Sequence, residues 1–239
     1  LKERYPEKKK VIVPDITFVS TASVVLQAEL ELVICKVDNS LCMSIHQLEG
    51  LINEEVLCIV YVGIGGNTEN LSEVEEISGR EGIDLVIDAA HMGGSRRKDE
   101  YKEHLGNKAT FVCYSYQAVK NLGIADSGMI SFNDESYQGS ISKYRWMGIN
   151  KTTYERTISK TTSYKWEYDI DRLGYKYNGN ALIAACCRAI LRSLDDDNAY
   201  RRHIRNLYRS KFEKSKHLSQ MYSLSNAFNK EDMLEHARK

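Results

Sequence analysis

Short apolar runs recur along the first half of the chain with almost no polar residue interleaved. Lys10-Val11-Ile12-Val13-Pro14, Leu32 to Asp38, Val56 to Val62 and Ile83 to Asp88 all have this character. A strand with one face in water alternates apolar and polar residues; one that is apolar throughout is buried on both faces. The intervening segments carry helical periodicity. A helix is predicted from Ser20 or Thr21, either of which can cap it, to about Leu30. A second spans Ser44 to Ile52, with Ile45, Leu48 and Ile52 on one face, and a third spans Leu71 to Gly82, with Leu71, Val74 and Ile77 inward. This alternation predicts an α/β fold: a mostly parallel sheet with helices on both faces.

Sheets of that kind bind ligands beyond the carboxyl ends of their strands. That rule gathers Pro14–Phe18, Gly63–Asn67, Asp88–His91 and Ser115–Lys120 at one rim. The run ending at Asp88 delivers a carboxylate, and the run Thr110 to Ser115 leads to the amine of Lys120. Pyridoxal phosphate chemistry requires that pair: an amine to condense with the cofactor aldehyde, and an acid to keep the pyridine nitrogen protonated. Taken singly, each residue has a blander reading. Lys120 reads as a surface lysine, Asp88 as a turn cap, His91 and Phe18 as core residues, and Ser115 as a strand-end serine.

The set also carries a resemblance. Asp88-Ala89-Ala90-His91, then Ser115-Tyr116, then Lys120 five residues after the serine and 32 after the aspartate, resembles the DegT/DnrJ/StrS family of sugar aminotransferases. Asn121-Leu122-Gly123, the strand from Gly128 to Phe132, and Leu173-Gly174-Tyr175-Lys176-Tyr177-Asn178 extend the match, which runs in order from Val11 to Phe212. The resemblance implies the large domain of a type I pyridoxal phosphate enzyme. It implies transfer of an amino group from an amino acid, typically glutamate, to a nucleotide-linked keto-sugar, for polysaccharide or glycoconjugate synthesis. Lys120 and Asp88 are the catalytic residues so implied. Phe18 would stack on the pyridine, His91 would lie close to it and Ser115 would hold the phosphate. Asn178 would reach the cofactor of a second subunit, making a homodimer with shared sites.

Family members carry a Gly-Thr/Ser phosphate-binding turn ahead of the first strand and a small C-terminal domain. The chain is therefore expected to be incomplete at both ends: a partial large domain over 1–178, irregular from 151, then a helical connection over 179–239 that frays from about 221. A sugar dehydratase of the same fold has histidine in place of the lysine, so Lys120 opposes it. The rival of a different class is a truncated, non-catalytic copy that persists as a binding module.

Several classes are disfavoured. Lys+Arg and Asp+Glu both number 33, leaving no global charge to attract nucleic acid or an anionic membrane. No apolar run approaches the ~20 residues of a membrane helix. The six cysteines form no Cys-x-x-Cys pair and no metal-ligand spacing, and read as reduced thiols of a cytoplasmic protein. Gly63-Ile64-Gly65-Gly66 lacks the third glycine of a dinucleotide fingerprint, since position 68 is Thr68; it reads as a turn that lets backbone pass close to a ligand or a neighbouring helix. Arg96-Arg97-Lys98 and Arg201, Arg202, Arg205, Arg209 and Lys211 read as solvated faces, the first also as a candidate partner for a nucleotide diphosphate. Helix is predicted from Asn133 to Trp146, from Ala181 to about Leu194, and, after a break at Asp195-Asp196-Asp197, to about Leu218. Tyr164, Trp166, Tyr168 and Ile170 alternate as in a half-buried strand.

Overall fold

The computed structural model describes residues 1–96, 105–151, 153–158 and 168–213. Six strands, β1 (Lys10–Pro14), β2 (Glu31–Cys35), β3 (Val56–Val62), β4 (Asp84–Asp88), β5 (Phe111–Ser115) and β6 (Gly128–Ser131), form one sheet in the order β2-β1-β3-β4-β5-β6. The first five are parallel and β6 closes the edge antiparallel to β5. Helices α1 (Val19–Gln27), α2 (Ile45–Leu51) and α3 (Leu71–Glu81) are the connections between β1, β2, β3 and β4. The mostly parallel α/β architecture expected from the apolar runs is the one observed.

Side-chain period two divides the core into two layers. Ile12, Ile59, Tyr61, Leu85 and Ile87 project to one face, where Leu48 of α2 and Leu71, Val74 and Ile77 of α3 cover them. Val11, Val13, Cys58, Val60 and Val62 project to the other and meet Val25 of α1. All seven residues of β3 are buried, as a strand with helices on both faces requires. Pro14 is the last residue of β1, where its missing N–H removes no ladder bond from the strand interior.

Local signals explain the helix ends. The Ser44 hydroxyl accepts from the Gln47 N–H at the start of α2, and Gly82 ends α3 at φ +62°, a left-handed turn that favours glycine. The start of α1 differs from expectation. Its N-cap is Phe18, with no side-chain cap, and the helix ends at Gln27 rather than Leu30. Thr21 lies inside the first turn and its hydroxyl is engaged elsewhere.

Beyond β6 lie α4 (Gln138–Arg145), α5 (Thr153–Ile158), α6 (Ala181–Ile190) and α7 (Leu194–Glu213). The three aspartates at 195–197 do not break a helix. They occupy the first turn of α7, where carboxylates meet the unsatisfied N–H groups and positive end of the helix dipole. The alternating segment is seen in part: Ile170 makes an antiparallel bridge to Ile149, while Tyr164 and Trp166 lie outside the described residues, as does the chain from 214. Among the described residues no helix is long and apolar enough to cross a membrane.

Candidate active site

The chain runs from β1 outward to β2, then returns past β1 to β3, β4 and β5, so the sheet reverses its winding between β1 and β3. The loops after those strands part at this point and leave a crevice at the carboxyl edge. A cavity of about 490 Å³ occupies it, lined by Phe18 after β1, Gly63 after β3, Asp88 and His91 after β4, and Ser115 and Lys120 after β5. Five of the six residues singled out from the sequence thus share one cavity. Asn178 does not; it is exposed and lines neither this cavity nor its neighbour.

Asp88 ends β4 between Val62 of β3 and Cys113 of β5. One carboxylate oxygen accepts from the Thr21 hydroxyl at 2.7 Å and the other from the Ala90 N–H at 3.1 Å. Thr21 is 5 % exposed, and its single proton goes to Asp88, so the Thr17 hydroxyl at 2.8 Å must donate to Thr21. No sequence pattern signals this Thr17–Thr21–Asp88 chain, since a threonine at that place also suits a helix cap. Each carboxylate oxygen keeps a free lone pair for a further donor. Burial, with the Asp88 charge adding to it, pushes the neighbouring Cys113 thiol up to about 11.

His91 lies in the turn after β4. Its Nδ1 accepts from the Gly65 N–H at 3.3 Å, which places the imidazole proton on Nε2. Partial burial of the ring lowers its pKa, the Lys120 charge lowers it further, and Asp88 opposes both. The lowered pKa favours the neutral imidazole at physiological pH, with the amine and the carboxylate acting on it in opposite senses. Gly63 lies where an added Cβ would come within 2.4 Å of Met92 Sδ, so only glycine lets this turn pack against the one after β4. The neighbour that this glycine accommodates is thus a turn and not a helix.

Lys120 sits in a turn organised by Gln117, whose backbone oxygen accepts from the Lys120 N–H at 2.8 Å and whose side chain accepts from the Val119 N–H at 3.2 Å. The Ser115 hydroxyl accepts from the Gln117 N–H at 3.4 Å. Lys120 is half-buried and makes no ion pair among the described residues. The next residue ties the turn down. Asn121 Nδ2 donates to the Gly93 carbonyl at 3.1 Å and to Asn198 Oδ1 of α7 at 2.9 Å, while Asn198 Nδ2 donates to the same carbonyl at 3.1 Å. Asn198 is 7 % exposed. Three segments, the turns after β4 and β5 and the start of α7, are thereby locked together beside the cavity. No spacing rule signals Asn198, because it lies 77 residues from its partner.

The arrangement fits a ring-sized ligand with a protonated nitrogen at one end and a carbonyl carbon at the other: a carboxylate with accepting capacity, an unpaired amine, and an exposed aromatic, Phe18, at the mouth. Among the described residues no cluster of His, Cys, Asp and Glu could hold a metal ion.

Comparison with known proteins agrees with that chemistry. The model of the DegT/DnrJ/EryC1/StrS aminotransferase family matches residues 4–233. Aminotransferases of this family depend on pyridoxal phosphate. Among solved structures, a DegT DnrJ EryC1 StrS aminotransferase from Brucella abortus is 24 % identical. It covers 89 % of this chain and 56 % of its own, with a TM-score of 0.74. Spr1654 from Streptococcus pneumoniae, in its PLP form, is 22 % identical over 90 % and 57 %, with a TM-score of 0.72. Helicobacter pylori PseC, an aminotransferase involved in the biosynthesis of pseudoaminic acid, is 22 % identical over 79 % and 47 %, with a TM-score of 0.69. At these identities the likeness shows the fold, and the chain spans about half the length of the solved relatives it matches.

Proposed function

This chain belongs to the DegT/DnrJ/EryC1/StrS aminotransferase family, and from that premise we propose that it moves an amino group from an amino acid, glutamate being the expected donor, to a keto-sugar carried on a nucleotide. The product would serve polysaccharide or glycoconjugate synthesis in the cytoplasm. The observation that carries this reading is that Asp88 and Lys120, delivered by different strands, line the same cavity.

Pyridoxal phosphate supplies an electron sink and a carbon that holds the amino group between the two half-reactions. The shared cavity supports the following roles for the protein's own residues. The Asp88 carboxylate, fixed by Thr21 and Ala90, would accept the pyridine N–H and keep that nitrogen protonated. Lys120 would hold the cofactor covalently at rest. Once free, its Nζ would move the proton of the donor's α-carbon as general base and then general acid. Phe18 would pack on the ring, His91 would lie close to it and the Ser115 hydroxyl would hold the phosphate. On the keto-sugar Lys120 would serve as the same acid and base in the opposite order.

Asn178 serves the cofactor of a second copy. It lies within an exposed apolar stretch, with Leu173 85 % and Leu182 80 % exposed, as a segment that a homodimer interface would cover.

Incubating the chain with pyridoxal phosphate, reducing with borohydride and mapping the peptides tests the reading. The expected result is a visible–near-ultraviolet absorbance band before reduction and the pyridoxyl adduct on Lys120 after it. Neither band nor adduct at saturating cofactor would return the chain to the non-catalytic binding-module reading.

A further inference from the structure

Thr17 and Thr21 stand four residues apart where β1 gives way to α1. Neither hydroxyl caps the helix, whose N-cap Phe18 lies between them. Thr21 keeps its helical place through its backbone, the N–H donating to the Phe18 carbonyl at 3.1 Å. Its hydroxyl is therefore free for another partner. Thr21 and Val25 are the buried residues of α1, one polar and one apolar. A second valine would fill the same space with no buried hydroxyl to satisfy, so packing alone gives no reason for the oxygen. Branching at Cβ restricts χ1, so the helix sets the direction in which that oxygen points. Thr17, by contrast, lines the cavity. A series of hydroxyls thus runs from the cavity wall, through a buried threonine, to the Asp88 carboxylate.

The surroundings of Asp88 fix the direction of the protons. Each of its oxygens faces a donor, the Thr21 O–H at 2.7 Å and the Ala90 N–H at 3.1 Å. A backbone N–H cannot turn round and accept. A hydroxyl can, but Thr21 would then have to send its proton to Thr17, and Thr17 would have to withdraw the one it gives. A proton placed on Asp88 at the Thr21 side thus requires the whole series to reverse. Donors aimed at a carboxylate favour its charged form, and each hydroxyl in the series polarises the next.

We propose that Thr17 and Thr21 are positioning residues of the cofactor site: their hydroxyls, donating in series, hold Asp88 as an acceptor, so that a pyridine nitrogen beside it keeps its proton. The inference rests on the cofactor reading above and adds to it two residues that act through Asp88.

Titrating the full chain with two probes tests it. One is pyridoxal phosphate. The other is its deaza analogue, in which a C–H replaces the ring nitrogen and leaves Asp88 no N–H to accept. Thr21→Val should weaken binding of pyridoxal phosphate by about tenfold, as loss of support for a charged hydrogen bond does. It should leave binding of the deaza analogue unchanged. Thr21→Ser, which keeps the hydroxyl, should restore the wild-type ratio of the two affinities. Thr17→Val should shift that ratio in the same direction by less, since it removes only the polarising bond. A general loss of order would weaken both probes alike and would not move the ratio.

An unchanged ratio in Thr21→Val overturns the proposal, and so does a ratio that Thr21→Ser fails to restore. The borohydride adduct on Lys120 is scored separately with each probe, since both carry the aldehyde. An adduct with an unchanged ratio removes the threonine series and leaves the aminotransferase reading standing. No adduct with either probe in the unsubstituted chain removes both.

Discussion

Strands β3 and β6 belong to one sheet, yet all seven residues of β3 are buried and all four of β6 are exposed. The contrast extends to the helices. α2 and α3 bury Leu48, Leu71, Val74 and Ile77 against the sheet, whereas Leu182 of α6 and Tyr200 of α7 are 80 % and 66 % exposed; α1 is intermediate, with Val25 buried and Val19, Val24 and Leu26 exposed. The first half of the chain is a closed two-sided core; the second half borders it and leaves much apolar surface uncovered. The site lies on the seam. Its carboxylate comes from the closed half, and its amine is steadied by Asn198 from the open one. The closed half holds the Asp88 carboxylate in place through Thr21 and Ala90, and the open half supplies a wall beside Lys120.

The largest effect is expected at the seam itself. Lys120→Ala should abolish the borohydride adduct and slow amino transfer by at least about 10²–10⁴-fold, the usual range for a positioned acid–base group; an undiminished adduct elsewhere would break the assignment. Next, Leu85→Ala, in the closed half at 1 % exposure, should cost about 2–5 kcal/mol in denaturant unfolding. Leu182→Ala should stay within about 0.5 kcal/mol for the isolated chain. Equal costs would erase the distinction between the halves.

Thiol chemistry sharpens it. Burial pushes Cys35, Cys58 and Cys113 up to about 11, 12 and 11, while Cys186 of α6 is exposed. Iodoacetamide at mildly alkaline pH should label Cys186 first, the other three thiols lagging by about a hundredfold, because only thiolate reacts. Smaller still, Asn198→Ala leaves the Asn121 amide and the Gly93 carbonyl short of partners. It should cost about 1–3 kcal/mol. It should also slow adduct formation at Lys120 more than Leu182→Ala does, which a purely global loss of stability would not.

The least effect concerns pH. His91 has a lowered pKa in the fold against an ordinary 6.5 unfolded. Between the two values the unfolded chain binds the extra proton, so the His91 contribution is whole above 6.5 and is lost as pH falls through that window. His91→Gln should flatten that part of the stability–pH curve; an unchanged slope would place the titration elsewhere.

What was legible in the sequence was what depends on near neighbours. Continuous apolar runs mark β1, β3 and β4, because a strand covered on both faces has no use for alternation. Asp88 and Lys120 stand out by strand context together with the family resemblance, and both line one cavity. Thr21 was misassigned because a hydroxyl near a helix start satisfies either a backbone N–H or a distant carboxylate, and local sequence cannot choose between them. Asp195–Asp197 were read as a breaker, although the same charges suit the first turn of a new helix.

From the order of its residues alone, this chain determined a mostly parallel, doubly covered sheet and the rim at which its candidate carboxylate and amine would lie. Periodicity and strand direction are local properties, and they propagate to a rim without further information. Only the tertiary structure decided that Thr21 anchors Asp88, that Asn198 locks the lysine turn, and that arginines about a hundred residues apart face one cleft. Those pairings depend on how α1 and α7 are rotated against the sheet, and that rotation is set by long-range packing such as Asn198 against Gly94, which leaves no periodic trace along the chain.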